Sequence, residues 1–391
     1  MSTLKVNAIR GTGASADAIT VNATDGTCTV KATNNLSNRN LIINGAMQVA
    51  QRGTSSTSNG YQTVDRFSHY SGGGTTTWSV GTETSGTVWA LGLRKYLRCT
   101  NTANSTAAAS YREITYKIEN QDLMDSGWNP ASTSSKLTLS FWVRASVGQV
   151  YYGRIRWMGD SADSNYIFST GTLSANTWTK ITKTIPGKSG KTLNDGGSSA
   201  DNLSIFQLNW SPFQGTDGTA SGTAVDQWNT YAGASKYPDF TTTWGSTNGA
   251  TFDITGVQLE VGDSASDFEH RSYGDELLRC QRYYETIYLS SYSVCGQAYQ
   301  SNHAIATQWF RQQKRANPSV TLPSVGQGTG EITFVASDAS WPSTHGSIAV
   351  GDATTQKFNY AASGYTGSFT AGNATLLHCN GTNTVAVDSE L

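Results

Sequence analysis

In the stretch KLTLSFWVRAS, residues 136–146, Leu137, Leu139, Phe141 and Val143 share one face while Thr138, Ser140, Trp142 and Arg144 share the other. A period of two marks a half-buried β-strand. The pattern recurs in VYYGRIRWMG, TWTKITKTI and LSIFQLNW, with clusters of Gly, Ser, Thr and Asn between the runs and hardly a helical run from residue 40 to residue 261. Many short strands separated by turn chemistry point to an antiparallel sandwich or barrel. In TFDITGVQLEV the apolar set shifts from Phe252 and Ile254 to Val257, Leu259 and Val261 across Gly256. Such a phase slip fits either a β-bulge at the glycine or a strand buried on both faces.

The rhythm then changes. Ser272 and Asp275 make an S-x-x-D helix start, Asp275 and Glu276 lie in the first turn, and Arg279 and Arg282 follow, all in keeping with the helix dipole. Tyr273, Leu277, Cys280, Tyr284 and Ile287 form a seam at spacings of four and three. Two packings satisfy the seam: against the chain's own sandwich, or against two other copies on a three-fold axis. Beyond residue 290 strand patterns resume in SVCGQAY, AIATQWF, EITFVAS, KFNYAAS and TVAVDSE, enough for a second sandwich. Residues 1–39 carry only the brief alternating patches TLKVNAI and TCTVKAT, too little to enclose a core, which suggests an attachment segment.

The sequence thus divides into an N-terminal attachment and oligomerisation segment (1–39), a β-sandwich (40–271), a hinge-like linking helix (272–289) and a second C-terminal sandwich (290–391). A chain of 391 residues suits two domains plus a small segment. Its 11 Trp, 18 Tyr and 12 Phe supply buriable surface that argues against disorder. With 27 basic and 28 acidic residues the formal charge is −1, which offers no field for nucleic acid or anionic lipid. The N-terminus has no uninterrupted apolar stretch of the signal-peptide kind, and no run of 18 apolar residues occurs, so neither export nor membrane insertion is expected. Five scattered cysteines without a CxxC pair read as reduced thiols of a protein made in a cytosol.

Catalytic signatures are sparse. PGKSGKT (186–192) lacks the first glycine of a phosphate loop, since Ile185 stands there, and it reads as a loop. His69, His270, His303, His345 and His378 never fall at metal-ligand spacing, and His270 reads as structural. Asp160, Asp163 and Asp239 sit in turn-like contexts where acids form Asx hydrogen bonds, and no glycosidase pair is identifiable. Arg311, Lys314 and Arg315 read as a solvated basic turn, open to an anionic sugar or an acidic neighbouring subunit. The irregular stretch 209–244 gathers Trp210, Trp228, Tyr231, Tyr237 and Trp244, rings that either stack on sugars or anchor the loop to its sheet.

The segments NLIINGAMQVAQRGTS, GYQTVDRF, SFWVRAS, TWTKITKTI and VQLEVGDSASDFEHRSYGDELLRCQRYYE together resemble tail-fibre and appendage proteins of tailed bacteriophages, of the marine cyanobacterial phage type. MSTLKVNAIR, ADAIT and CTVKATNN are similar to the N-termini of that group, and the motifs span about residues 1–290. The resemblance implies a jelly roll similar to carbohydrate-binding modules, a homotrimeric appendage of the virion assembled in the host cytoplasm, and attachment to a host-surface glycan. It implies partners among other virion proteins, docked through the N-terminal segment; with no acid pair identifiable among the residues, a binder rather than an enzyme is expected. The alternatives are a non-adhesive decoration of the particle and a fibre-borne polysaccharide depolymerase. In such jelly rolls some acids hold a structural calcium; Asp253 matches the late one, but Ala46 and Gln48 stand where the early acids would be. The expectation is a chain without a cofactor.

Overall fold

The alternation of residues 136–146 becomes the strand Lys136–Ala145, with Leu137, Leu139, Phe141 and Val143 all turned into a core. In this computed structural model the residues described are 38–158, 163–191, 203–336, 340–367 and 369–391, with 6–10, 12, 17, 19–21, 24 and 28–30 of the N-terminal segment. The protein is mostly β.

One six-stranded sheet runs, in spatial order, Gln227–Thr230, Ser164–Thr172, Val150–Trp157, Phe206–Gln214, Tyr111–Ile118 and Phe67–Gly72. The facing sheet runs Thr179–Pro186, Lys136–Ala145, Thr251–Val261, Lys95–Ala103, Thr75–Thr82 and Ser55–Ser56. The chain switches sheets repeatedly, as in a jelly roll, and all the strand pairs are antiparallel. Between the sheets lies an aromatic core in which Trp210 meets Phe141 at 5.8 Å and Trp128 meets Trp157 at 5.4 Å.

Both readings of the phase slip hold together. The register of Thr251–Val261 against Lys136–Ala145 shifts between Thr255 and Gln258, with Gly256 at φ 60°, and the strand is buried on both faces from Phe252 to Glu260. A glycine is required here, since a Cβ at this φ would be strained and would stand 2.7 Å from Leu93 Cδ1.

The helix spans Tyr273–Gln281, and the Ser272 side chain accepts a hydrogen bond from the Asp275 N–H, as the capping pattern predicts. It is shorter than the seam. Tyr284 and Ile287 belong to the strand Tyr284–Leu289, which pairs with Asn383–Asp388 and so opens the second sandwich before residue 290. The seam faces inward on its own chain: Cys280 and Leu277 pack with Ile43, Val49 and Tyr283, and Ile287 joins the C-terminal core. Tyr284 lies under the Arg52 guanidinium at 3.6 Å, which leaves Tyr273 as the exposed member. The three-helix packing of this seam is therefore replaced by intrachain packing, because the aromatic and β-branched residues after Gln281 favour a strand.

Nor is the helix a hinge. Arg66, buried among aromatic rings, pairs with Glu390 and lies 3.4 Å from the Tyr283 ring centroid. Arg52 reaches Asp388 at 3.0 Å and Glu390 at 3.3 Å, and Arg282 grips Glu119 through two 2.9 Å bonds. Residues on both sides of the helix are thus tied by buried and partly buried ionic contacts.

The C-terminal sandwich sets a three-stranded sheet (Tyr284–Leu289, Asn383–Asp388, Ser319–Thr321) against a six-stranded one. The latter runs Ile332–Ala336, Ala374–Cys379, Val294–Gln300, His303–Trp309, Lys357–Ser363, Ser347–Gly351. Phe334, Phe358, Tyr360, Leu377, Val385 and Val387 fill the space between them. In the N-terminal segment the strands Ala8–Ile9, Ile19–Val21 and Cys28–Val30 form a small antiparallel sheet.

Candidate binding site

Three of the five loop aromatics are core residues: Trp210, Tyr237 and Trp244 are at most 1% exposed. A ring without an open face cannot stack on a sugar, so their assignment to glycan contact is corrected. Trp210 sits within the strand Phe206–Gln214, and Trp244 donates its indole N–H to the Thr251 carbonyl at 3.1 Å. The Tyr237 hydroxyl donates to Glu113 at 3.1 Å and accepts from Arg154 at 3.2 Å. Trp228, half-buried, packs edge-on against Trp157 and Tyr166 and donates to the Pro186 carbonyl at 2.8 Å. Tyr231, also half-buried, lies under the Arg156 guanidinium at 4.1 Å. These rings anchor the loop over the sheet.

Asp253 is corrected as well. It is fully buried, and its oxygens accept from Arg98 at 2.8 and 2.9 Å and from Arg144 at 2.8 and 2.9 Å. Two guanidinium groups take the place of a cation and would repel one. Asp163 pairs with Arg156 at 2.5 Å, Asp239 accepts from the Thr219 hydroxyl at 2.7 Å, and Asp160 lies outside the described residues. The basic run is not a solvated turn. Lys314 is buried and pairs with Glu285 at 2.6 Å, burial pulling its ammonium below the usual range, and Arg311 meets the same carboxylate at 3.3 Å. Arg315 donates to the Ser389 and Glu390 carbonyls at 2.8 Å each. The acidic partner that the sequence invited is within the same chain.

A polar groove of about 810 Å³ opens beside the junction helix, lined by Asn38, Asp122, Asp125, Asp275, Arg279 and Arg282 among others. Most of its charges are engaged: Arg279 with Asn38 at 2.6 Å, Arg282 with Glu119, and Asp275 with Ser272 at 2.7 Å. Burial, reinforced by Glu119, pushes the Asp122 carboxyl above its usual range.

Apart from Trp89 and Tyr273, the exposed aromatic rings among the described residues belong to the C-terminal sandwich. Along His303–Trp309 the small Ala304 and Ala306 are buried, while Ile305, Thr307 and Trp309 alternate onto the opposite, outer face. Trp309 is 61% exposed, Tyr299 49%, Tyr292 44% and Trp341 41%. Lys357, the cross-strand partner of Trp309, holds its ammonium 5.7 Å from the indole, and Tyr299 meets His303 at 5.5 Å. A ring on the polar side of an alternating strand is a signal the sequence carried in AIATQWF, one that stands out only when that strand's two faces are separated.

No family model matches the chain, and no curated protein sequence matches it. Among solved structures, the enzymatically active domain of tailspike protein 4 of bacteriophage CBA120 is similar at 11% identity, over 57% of this chain and 22% of that one, with a TM-score of 0.29. This chain therefore matches under a quarter of that tailspike structure's length. The baseplate tripod of bacteriophage Tuc2009 is similar at 11% identity over 95% of this chain and 96% of that one, with a TM-score of 0.25. The family 11 carbohydrate-binding module of a cellulosomal cellulase of Clostridium thermocellum is similar at 13% identity over 56% and 98%, with a TM-score of 0.25.

Proposed function

We propose that this protein is a structural and adhesive component of a bacteriophage virion, a tail fibre or appendage of the marine cyanobacterial phage type, which attaches to a host-surface glycan without cleaving it. In this reading the N-terminal segment docks to other virion proteins, the jelly roll is the body, and the C-terminal sandwich is the distal module. The observation that carries the adhesive part is the outer face of the C-terminal sheet, where Tyr299 and Trp309 are open rings on the same face as Gln297, His303 and Thr307. Aromatic faces take the C–H side of sugar rings, while Gln297 and Thr307 on the same face supply hydroxyl and amide partners. Assembly is proposed to be homotrimeric, which multiplies weak contacts into useful avidity. With the helix seam occupied, the contacts between copies fall to the N-terminal strands and the exposed Tyr273 and Leu278.

The protein is expected to need no cofactor and to leave its ligand intact. Antibody labelling of intact virions and incubation with purified host polysaccharide test the two halves of this reading. Labelling on a tail appendage and unchanged polysaccharide length are expected. Label on the head surface favours the decoration reading, and reproducible shortening of the polysaccharide establishes a depolymerase.

A further inference from the structure

We infer that the outer face of the C-terminal sheet is a two-ended track for an extended glycan, a stretch of about four consecutive sugars laid along His303–Trp309 with Asp352 as a hydroxyl-binding residue at one end; this rests on the adhesive reading above. The two aromatic pairs of this face do not share one subsite. Trp309 ends the strand beside Lys357, and His303 begins it beside Tyr299, with 5.5 Å between ring centroids. At about 3.4 Å per residue, the two ends of this antiparallel strand stand about 20 Å apart. A sugar stacked on one ring at about 3.5–4.0 Å cannot touch the other, and a chain of several sugars can.

The sheet register lays a low path between the ends. Ile305 and Thr307 continue the outer face of the strand, with Ala361 and Asn359 beside them on one flank and Gln297 opposite Ile305 on the other. Beyond Ala361 and Asn359 the next strand offers only Ala349 and Gly351, so little side chain stands above the sheet on that flank. Tyr299 owes its place to an irregularity. The pairing of Val294–Gln300 with His303–Trp309 slips between Ala298 and Gln300, and a bulge of this kind re-aims a side chain, here a ring turned towards His303.

The Trp309 end also carries an acceptor for sugar hydroxyls. Thr307 Oγ1 donates to Asn359 Oδ1 at 2.8 Å, and Asn359 Nδ2 donates to Asp352 Oδ2 at 3.2 Å. This relay ties the exposed Asp352 carboxylate to the outer face in the half of the strand that ends at Trp309, with Thr307 and Asn359 as positioning residues. The Asn359 bond engages one carboxylate oxygen, and the other is turned to no hydrogen-bond donor among the described residues. A hydroxyl that donates to it makes a charge-assisted bond. Asp352 itself stands at φ 43°, a left-handed conformation that aspartate adopts more readily than most residues. The strand residues at the Tyr299 end include no carboxylate, so the Trp309 end binds more strongly and the Tyr299 end adds to it.

The test uses the full chain and host-surface polysaccharide cut by partial acid hydrolysis into fragments of about two to about eight sugars, shorter and longer than about 20 Å, with affinity read by titration calorimetry. Affinity is expected to rise at least about tenfold between fragments of about two and about five sugars and then to level, because the second ring contributes only once the chain reaches it. Trp309→Ala and Asp352→Gly, the latter keeping the left-handed backbone, are each expected to weaken every length about tenfold. Tyr299→Ala is expected to cancel the gain with length and to spare the shortest fragment. Trp89→Ala, an exposed ring of the jelly roll outside this face, is expected to change nothing. Where intact polysaccharide binds, an affinity that does not depend on length overturns the track and leaves the adhesive reading standing, as do long fragments held equally by the parent and Tyr299→Ala. Unchanged binding by Asp352→Gly overturns its role, and a loss with Trp89→Ala but not with Trp309→Ala overturns the whole placement. A parent that binds neither the fragments nor intact polysaccharide overturns the track and the adhesive reading together.

Discussion

Replacing Glu390 by alanine removes the most buried of the ionic contacts that join the two sandwiches. The Glu390 carboxylate faces two guanidinium groups, and Arg66, its closer partner, has a side chain only 1% exposed. In the variant Arg66 keeps its bond to the Lys117 carbonyl at 2.8 Å and its stacking on Tyr283, while Arg52 keeps the half-exposed Asp388. Arg66 loses its anion and cannot reach water. Breaking a buried pair by removing one partner costs about 3–5 kcal/mol at Arg66, and the loss at Arg52 is smaller because its guanidinium keeps Asp388. Urea unfolding followed by tryptophan fluorescence measures the sum. The parent is expected to unfold in one transition, and Glu390→Ala in two, because the sandwiches lose part of what couples them. The double variant Arg66→Met with Glu390→Leu is expected to recover most of the loss, since an apolar pair of similar size removes the stranded charge. A loss under about 1 kcal/mol for Glu390→Ala, with one transition retained, would refute the claim that this buried pair locks the two modules.

Further outcomes follow from other buried groups. His69, stacked on Trp78 at 4.5 Å, has its pKa pushed by burial from 6.5 down to about 3. The folded state thus disfavours the imidazolium, and its contribution to stability is lost as the pH falls from about 6.5 towards 3, at a slope of about 1.4 kcal/mol per pH unit. The buried Asp65 carboxyl, raised to about 6, titrates in the opposite sense, so the effect is read as the difference between parent and His69→Phe in urea midpoints across this window, and parallel pH profiles would contradict it. Gly256→Ala, which forces a Cβ into Leu93 at a left-handed φ, is expected to destabilise the jelly roll by about 1–2 kcal/mol or more in thermal unfolding; a neutral effect would contradict the bulge. Asp253→Asn is expected to lower the thermal midpoint equally with and without added calcium, because its ligands are Arg98 and Arg144; a calcium-dependent shift confined to the parent would restore the metal reading.

What the sequence made legible is what acts over a few residues. The alternation of Leu137 to Val143, the phase slip at Gly256 and the Ser272 cap each depend on neighbours within one strand or turn, and each is found in place. The end of the helix was not legible from spacing alone, because Tyr284 and Ile287 continue the four-three rhythm while already belonging to a strand. The competing signal was the composition of YYETIYL, rich in aromatic and β-branched residues. Pairings such as Arg66 with Glu390, 324 positions apart, leave no local mark. Aromatic content likewise does not say which rings are open. Trp210 and Trp309 lie in equally strand-like surroundings, and only the face each takes on its sheet separates a core residue from a surface one.

The outer face of the C-terminal sheet is tested most directly by measuring how tightly the intact chain binds surface polysaccharide extracted from host cells, with the parent compared to Tyr299→Ala combined with Trp309→Ala. A loss of about a hundredfold, with an unchanged thermal midpoint, is the outcome this account requires. Undiminished binding by the double variant would contradict it and move the adhesive surface elsewhere on the molecule.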